Sequence, residues 1–184
     1  TTGTTTITLN LDDGNCSNDY TFVVTVNAPP SVSAGADQTV CSGDAVILSG
    51  SGTASSYLWD NGVIDGTSFP PGVGSVTYTV TGTDGNGCVN TDAASITVNP
   101  LPTTSLTCSD TDQIICAGDV VTFTASGATN YEYFVNGSSV QGPSGASTFV
   151  TSSLISGDVV TVDGESGGCY FTAPQSFTFT VNAL

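Results

Sequence analysis

The chain has 184 residues, of which 16 are Asp or Glu and none is Lys, Arg or His, so its formal net charge at pH 7 is −16. Without imidazole or amine side chains, Ser-His-Asp, Cys-His and Schiff-base mechanisms are excluded, as is a histidine metal ligand. Without basic residues the chain also lacks the groups that neutralise phosphates, which excludes nucleic acid as a partner and argues against docking on anionic lipid. We therefore expect a protein that is not an enzyme.

The apolar content is 38% and the charged content only 9%. Apolar and polar residues alternate, which predicts a folded chain rather than an acidic disordered tail. No apolar run approaches the roughly 20 residues of a membrane span, so we expect no membrane insertion. Six cysteines without a metal-type Cys-x-x-Cys spacing indicate disulfides, and these place the protein outside a reducing cytosol, in the extracellular space or at the cell surface.

The first segment, residues 1–29, predicts a β-hairpin. Residues 4–11 alternate in hydropathy, an Asp-rich turn follows, and residues 20–26 alternate again. The spacing from Cys16 to Asn27 matches that from Cys88 to Asn99 (27 − 16 = 11 and 99 − 88 = 11). The segment is therefore interpreted as the last two strands of an incomplete β-sandwich. A two-stranded hairpin is marginally stable alone, so we expect upstream sequence or strands of another molecule to complete it.

The rest of the chain contains an internal repeat. A Cys-x-Gly-Asp motif occurs at residues 41–44 and at 116–119, and an Asn-Gly pair follows 20 residues after each cysteine (61 − 41 = 20 and 136 − 116 = 20). A constant offset of 75 aligns Trp59 with Phe134, and both are expected to be core aromatic residues. A shared offset without gaps predicts a shared fold.

These observations predict a hairpin and two domains, separated by short proline linkers, over residues 1–29, 30–100 and 101–184. In the second range we predict strands near 37–40, 44–49, 56–60, 75–83 and 93–98. In the third range we predict strands near 103–108, 119–125, 130–135, 146–153, 158–163 and 172–182. Helical periodicity is absent, so the predicted fold class is all-β, with tandem antiparallel Greek-key sandwiches.

Residues 34–40 (AGADQTV), 43–44 (GD), 57–59 (YLW) and 78–84 (YTVTGTD) resemble a PKD or immunoglobulin-like repeat. The combination of Cys-x-Gly-Asp and Asn-Gly-Cys is similar to the tandem repeats of very large surface adhesins secreted by Bacteroidota. The resemblance implies β-sandwich domains. It implies a role in adhesion, gliding or spacing without choosing among them.

The cysteines fall into two positional classes. One class precedes the second strand of a repeat (Cys41, Cys116), and the other follows the turn between its last two strands (Cys16, Cys88, Cys169). Two connectivities stay open, namely bridges within each repeat, Cys41–Cys88 and Cys116–Cys169, or a bridge between successive repeats, Cys41–Cys169. In an immunoglobulin-type sandwich the two positions are separated by a strand of about 17–20 Å, whereas a disulfide needs Cα atoms within about 7 Å. This geometry favours the bridge between repeats. Cys108 has no counterpart and is either a spare thiol, a local bridge or a link to another chain.

Asp12, Asp13 and Asp84 lie in Asp- and Asn-rich turns. Such turns supply the oxygen ligands that Ca²⁺ prefers, although the same residues are common in tight turns without any metal. These three residues are therefore weak Ca²⁺ candidates. We expect no other cofactor.

The sequence thus favours a non-catalytic structural or adhesive repeat of an extracellular rod or filament on the bacterial surface. Because the first segment lacks part of its sandwich, strand complementation by another subunit is a predicted mode of assembly. The expected partners are neighbouring copies of the chain or adjacent repeats of a longer chain. The alternative is an adhesin module that binds carbohydrate or a host surface, with an exposed loop at residues 138–147 carrying specificity for surface glycans.

Overall fold

The computed structural model describes residues 2–183, and every regular element in this range is a β-strand. Thr1 and Leu184, the end residues of the predicted ranges, lie outside the described part. The chain is all-β, as its alternating apolar pattern predicted. The sheets contain antiparallel pairs and a parallel pair, in which Ile114–Cys116 lies beside Thr180–Asn182.

The strands of the first half of the chain are β1 Gly3–Asp12, β2 Ser17–Val26, β3 Val32–Ser33, β4 Gln38–Cys41, β5 Val46–Ile47, β6 Ser51–Gly52, β7 Ser56–Trp59, β8 Ser68–Phe69, β9 Gly74–Thr83 and β10 Val89–Asn99. Those of the second half are β11 Ser105–Cys108, β12 Ile114–Cys116, β13 Val121–Ser126, β14 Asn130–Val135, β15 Ser138–Ser144, β16 Thr148–Thr151, β17 Val159–Ser166, β18 Cys169–Thr172, β19 Phe177–Thr178 and β20 Thr180–Asn182.

Contacts between Cα atoms divide the chain into two compact units. The first unit comprises residues 1–38, 45–71 and 75–96. The second comprises residues 39–44, 72–74 and 97–184. The boundaries predicted from the sequence, 1–29, 30–100 and 101–184, stay predictions.

The hairpin β1–β2 opens the first unit and pairs in one continuous register, from Gly3 opposite Val26 to Asp12 opposite Ser17. Because opposite residues of an antiparallel pair share a face, this register gathers the apolar residues on one side. We call this side the hairpin face; it consists of Ile7, Leu9, Leu11, Tyr20, Phe22, Val24 and Val26. Each of these side chains is between 40% and 57% exposed.

The rest of the first unit has a buried core around strands β9 and β10. Val80 is fully buried and lies opposite Trp59 of β7, which is 4% exposed. The indole Nε1 of Trp59 donates a hydrogen bond to Oδ1 of Asp65 (2.8 Å), which also accepts the Gly50 N–H (2.7 Å). The structure thus places Trp59 in the core and satisfies its one polar atom.

The second unit packs a sheet of β11, β13 and β16 against a sheet of β15, β14, β17 and β18, in these orders. The inner faces of both sheets contribute to one buried cluster, in which Phe123 and Tyr133 are fully buried. The ring of Phe123 lies 5.8–6.1 Å from the rings of Phe149, Phe177 and Phe179. Two sheets that share one core form a β-sandwich.

The predicted core position of Phe134 is wrong, because this side chain is only half-buried and Tyr133 lies in the core instead. Tyr133 lies opposite Val162, which is two residues before Gly164. Trp59 lies opposite Val80, which is two residues before Gly82, so the two aromatic residues occupy equivalent positions. The third repeat has one more residue than the second between this core aromatic and its Asn-Gly pair. A constant offset of 75 therefore shifts the aromatic by one residue, and side chains alternate between faces at every residue.

The predicted loop at residues 138–147 is mostly the strand β15, which pairs with β14 and ends at Ser144. Val135 lies opposite Ser138, so only Asn136 and Gly137 form the turn between them. Both have positive φ, 52° and 76°. A two-residue hairpin turn needs this backbone conformation, and Asn-Gly adopts it readily.

Near the chain end, the strand predicted over 172–182 is divided into the shorter strands β18, β19 and β20. Pro174 lies at the first break, where it has no N–H to donate to a neighbouring strand. The sequence also missed β12, which pairs in parallel with β20.

Candidate functional site

The Cys-x-Gly-Asp motif forms the same turn in both of its copies. Oδ2 of Asp44 accepts the Cys41 N–H (2.9 Å), and the Asp44 N–H returns to the Cys41 carbonyl (3.0 Å). Oδ2 of Asp119 accepts the Cys116 N–H (2.8 Å), and its N–H returns to the Cys116 carbonyl (3.0 Å). The glycines have φ of 98° and 91°, a conformation that favours glycine. The motif therefore fixes the backbone of the cysteine.

An asparagine at the end of each repeat holds the residue after the cysteine. The Ser42 N–H donates to the carbonyl of Asn99 (2.8 Å), and the Ala117 N–H donates to the carbonyl of Asn182 (2.9 Å). The side-chain Nδ2 of Asn99 in addition donates to the carbonyl of Gly167 (2.7 Å). Asn99 thus joins the first cysteine motif to the turn at residues 167–169.

The bridge between Cys41 and Cys169 closes this arrangement, with Cα atoms 5.6 Å apart. Cys169 is 1% exposed and Cys41 is half-buried. The structure therefore contains the bridge that joins the second repeat to the third, and it contains neither of the bridges considered within a repeat.

The turn that carries Cys169 is held by Glu165. Its Oε1 accepts the Gly168 N–H (2.6 Å) and its Oε2 accepts Nδ2 of Asn130 (2.7 Å). The hydrogen bond from Asn130, and then that from Gly168, lower the pKa of the Glu165 carboxyl below its usual value. Gly167 is required at the contact, because a Cβ there would lie 3.0 Å from Nδ2 of Asn99 and its φ is 60°.

Asp13 and Asp84 hold their turns as Glu165 holds the turn that carries Cys169, by accepting backbone N–H groups. Oδ1 of Asp13 accepts the Asn15 and Cys16 N–H groups (2.9 and 2.8 Å), and these bonds lower the pKa of Asp13. Oδ1 of Asp84 accepts the N–H groups two and four residues later (2.9 and 2.8 Å).

Asp12, the third calcium candidate, accepts the Gly14 N–H (2.7 Å). Within residues 2–183 no group of three or more acidic or cysteine side chains lies close enough to hold a metal ion. The geometry assigns these carboxylates to turn formation and adds no support for Ca²⁺.

Four cysteines are free thiols in the described structure. Cys16 and Cys116 are exposed, and Cys88 and Cys108 are less so. Burial raises the pKa of the Cys108 thiol, which makes it a poorer nucleophile at neutral pH.

Sequence reasoning did not identify the roles of Asn99, Glu165 and Gly167. The constant spacing from cysteine to Val-Asn was the available signal for Asn99. No spacing marked Glu165, because the other two turns use an aspartate in its place.

In the described range there is no helix that is both long and apolar enough to cross a membrane.

No protein-family model matches the sequence, and no curated protein is similar to it at a significant level. Solved structures do match. Over 99% of this chain and 28% of the other, the N-terminal eight immunoglobulin domains of Down syndrome cell adhesion molecule match with a TM-score of 0.54 and 10% identity.

Two bacterial structures also match. The fibronectin(III)-like modules of Clostridium thermocellum CbhA match over 83% of this chain and 95% of theirs, with a TM-score of 0.49 and 12% identity. A Ca²⁺-stabilized adhesin with which an Antarctic bacterium binds ice matches over 98% of this chain and 57% of its own, with a TM-score of 0.42 and 16% identity. At 10% identity, the match to the immunoglobulin domains of the cell adhesion molecule shows the fold alone, an immunoglobulin-type β-sandwich.

Proposed function

We propose that the chain is a non-catalytic structural and adhesive repeat of an extracellular rod or filament on a bacterial surface, of the PKD-like kind found in large secreted adhesins of Bacteroidota. The hairpin β1–β2 assembles by strand complementation, with the hairpin face covered by strands of a neighbouring copy. The absence of Lys, Arg and His and the presence of a disulfide support a passive role in an oxidising compartment.

The observation that carries the proposal is the equivalence of the hairpin β1–β2 to β9–β10. Asp13 and Asp84 form corresponding turns, so Leu9 corresponds to Val80 (80 − 9 = 71 and 84 − 13 = 71). After the turn, Val24 corresponds to Ile96 (96 − 24 = 72 and 88 − 16 = 72). Val80 and Ile96 are 0% and 1% exposed, whereas Leu9 and Val24 are 48% and 40% exposed.

The hairpin face therefore has the sequence of a sandwich interior without a sandwich around it. Full burial of an exposed aliphatic or aromatic side chain contributes about 1.5–3 kcal/mol, and about half of this gain is still available to each of the seven side chains of the face, which are 40–57% exposed. A hairpin alone is marginal in water, so cover by further strands is what makes it stable. Strands from a neighbouring copy supply that cover and link one chain to the next.

A pair of adjacent substitutions tests this proposal. Phe22→Glu places a charge on the hairpin face, whereas Val23→Glu places it on the opposite face, and the two side chains are 57% and 67% exposed. The unmodified chain is expected to form filaments whose length rises with protein concentration in sedimentation and negative-stain electron microscopy. With the free thiols alkylated so that only non-covalent assembly is measured, Phe22→Glu is expected to stay monomeric, and Val23→Glu to assemble like the unmodified chain.

A chain that stays monomeric at every concentration contradicts the proposal. So does a Phe22→Glu variant that assembles as well as the Val23→Glu control. Circular dichroism of both variants checks that the remaining sheets are intact, since neither residue belongs to the buried core.

The alternative role in glycan binding was assigned to an exposed loop at residues 138–147, but residues 138–144 form a paired strand. Glycan binding by this chain stays a prediction.

A further inference from the structure

The end of the chain repeats one half of the observed disulfide site. Cys116 lies in a turn with the same hydrogen bonds as the turn of Cys41. Its neighbour Ala117 donates to Asn182 as Ser42 donates to Asn99. The two sites differ in what lies against the cysteine. The site around Cys41 holds the turn with Cys169, whereas Cys116 is an exposed thiol.

A groove lies beside Cys116, at the position that corresponds to the contact of the Cys41 motif with the Cys169 turn. It has a volume of about 390 Å³ and is lined by residues 117–118, 153–156 and 181–183. With the repeat offset of 75, residues 117–118 are the counterparts of residues 42–43. Gly164 and Gly82 occupy corresponding positions 82 residues apart, so residues 154–156 are the counterparts of residues 72–74 (164 − 82 = 82 and 156 − 74 = 82).

The counterparts of this groove are engaged around Cys41. Residues 39–44 and 72–74 belong to the same compact unit as residues 97–184, although the sequence around them belongs to the other unit. Segments 39–44, 72–74 and 97–99 thus pack with the third repeat. Their counterparts at the chain end, by contrast, form an open groove beside an exposed cysteine.

We propose that this groove is the docking site for the Cys16 turn of a second copy of the chain, and that a disulfide between Cys116 and the second copy's Cys16 closes the joint. The product is a covalent head-to-tail polymer. The inference goes beyond strand complementation, because it uses the turn of the hairpin and does not need the hairpin face.

Cys16 fits this role better than the other free thiols. Like Cys169, it follows a turn that is held by a carboxylate. Asp13 accepts two backbone N–H groups of its turn, and Glu165 accepts the Gly168 N–H. Its side chain is exposed, whereas Cys88, which follows a similar turn, is partly covered. The carbonyl of Gly14, two residues before Cys16 as Gly167 is two before Cys169, is the expected acceptor for Nδ2 of Asn182.

The bridge forms by thiol–disulfide exchange with a low-molecular-weight disulfide as oxidant. The Cys116 thiolate attacks one sulfur of the oxidant, whose S–S bond breaks and releases one thiolate. The Cys16 thiolate of the second copy then attacks the Cys116 sulfur and releases the second thiolate. Two protein thiols lose two protons and two electrons, and one small disulfide becomes two thiols.

The test uses the full chain with Cys88→Ser and Cys108→Ser, which keeps the Cys41–Cys169 bridge and leaves Cys16 and Cys116 as the free thiols. The protein is incubated with oxidised glutathione in about 0.5 M NaCl, because each copy carries a net charge of −16 and salt screens the repulsion. Non-reducing electrophoresis is expected to show a ladder of covalent oligomers. Mass spectrometry of peptic fragments is expected to find Cys16 joined to Cys116, since trypsin has no cleavage site here.

Two pairs of variants control the result. Adding either Cys116→Ser or Cys16→Ser is expected to abolish the ladder. Asn182→Ala is expected to slow oligomer formation by about three- to tenfold, the value of one hydrogen bond, while Thr180→Ala on the same strand leaves the rate unchanged. Reaction of Cys116 with a small aromatic disulfide reagent should be equally fast in both variants, which separates docking from thiol reactivity.

The inference is overturned if only glutathione adducts form, if Cys116 pairs mainly with Cys116, or if Asn182→Ala has no effect. Its failure is distinguishable from that of strand complementation. A Phe22→Glu variant is expected to keep the Cys16–Cys116 bond even where non-covalent assembly is lost.

Discussion

The hairpins β1–β2 and β9–β10 have nearly the same local design and very different surroundings. Both turns are closed by an aspartate whose Oδ1 accepts backbone N–H groups, and a cysteine follows each turn. In β9–β10 one face is buried under the rest of its sandwich, while the hairpin face is open. The comparison teaches that alternation and turn chemistry specify a hairpin, but that its stability comes from what covers it.

Hydrogen exchange should show the largest difference between the two hairpins. Backbone amides of β9–β10 open only with much of the core, whereas those of β1–β2 open locally at little cost in the monomer. We expect exchange in β1–β2 to be faster by about 10³-fold or more at equal pH. Measurement by mass spectrometry on the monomer checks this, and equal protection of both hairpins would contradict it.

Side-chain truncation at corresponding positions should separate the hairpins next. Ile96→Ala leaves a cavity in the core and is expected to lower the free energy of unfolding by about 2–5 kcal/mol. Val24→Ala removes a side chain that already faces water in the monomer, so the expected change is below about 0.5 kcal/mol. Urea unfolding followed by Trp59 fluorescence measures both values. A large effect of Val24→Ala in the monomer would show that the hairpin face is already covered.

The turn aspartates provide a smaller test of the same contrast. Asp84→Ala removes the acceptor of two backbone N–H groups in a strand pair that carries the core, and we expect a loss of about 1–2 kcal/mol. Asp13→Ala removes the equivalent acceptor from the open hairpin, and we expect its loss of stability in the monomer to be smaller than that of Asp84→Ala. Equal losses in the two variants would mean that the hairpin unfolds together with the core.

Substitution of Glu165, which closes the third turn, should change the stability least, and the change should depend on pH. The folded state lowers the pKa of Glu165, so its stabilisation is present above the usual value of 4.5 and is lost as pH falls through the lowered folded pKa. Glu165→Gln is therefore expected to be less stable than the unmodified chain near neutral pH. The gap should close as pH falls from about 6 to about 3. Urea midpoints across this range measure it, and a gap that stays constant with pH would contradict the assignment.

The sequence by itself determined the fold class, the repeat and most strands, because these depend on local patterns. Alternating apolar residues predict strands, and turns rich in Asp, Asn and Gly predict where they end. The two positional classes of cysteine also came from spacing alone. The same reasoning failed at Phe134, because a single additional residue before the Asn-Gly pair moves a side chain from one face of a strand to the other.

Only the tertiary structure decided which contacts hold the site together. Glu165 takes the part of an aspartate in a turn of different length, and Asn99 reaches the carbonyl of Gly167 68 residues along the chain. The tertiary structure also decided that the hairpin face is open although its pattern equals that of a buried one. Local sequence encodes the preference of a strand for one face, whereas the presence of a covering sheet is a long-range property that no local pattern contains.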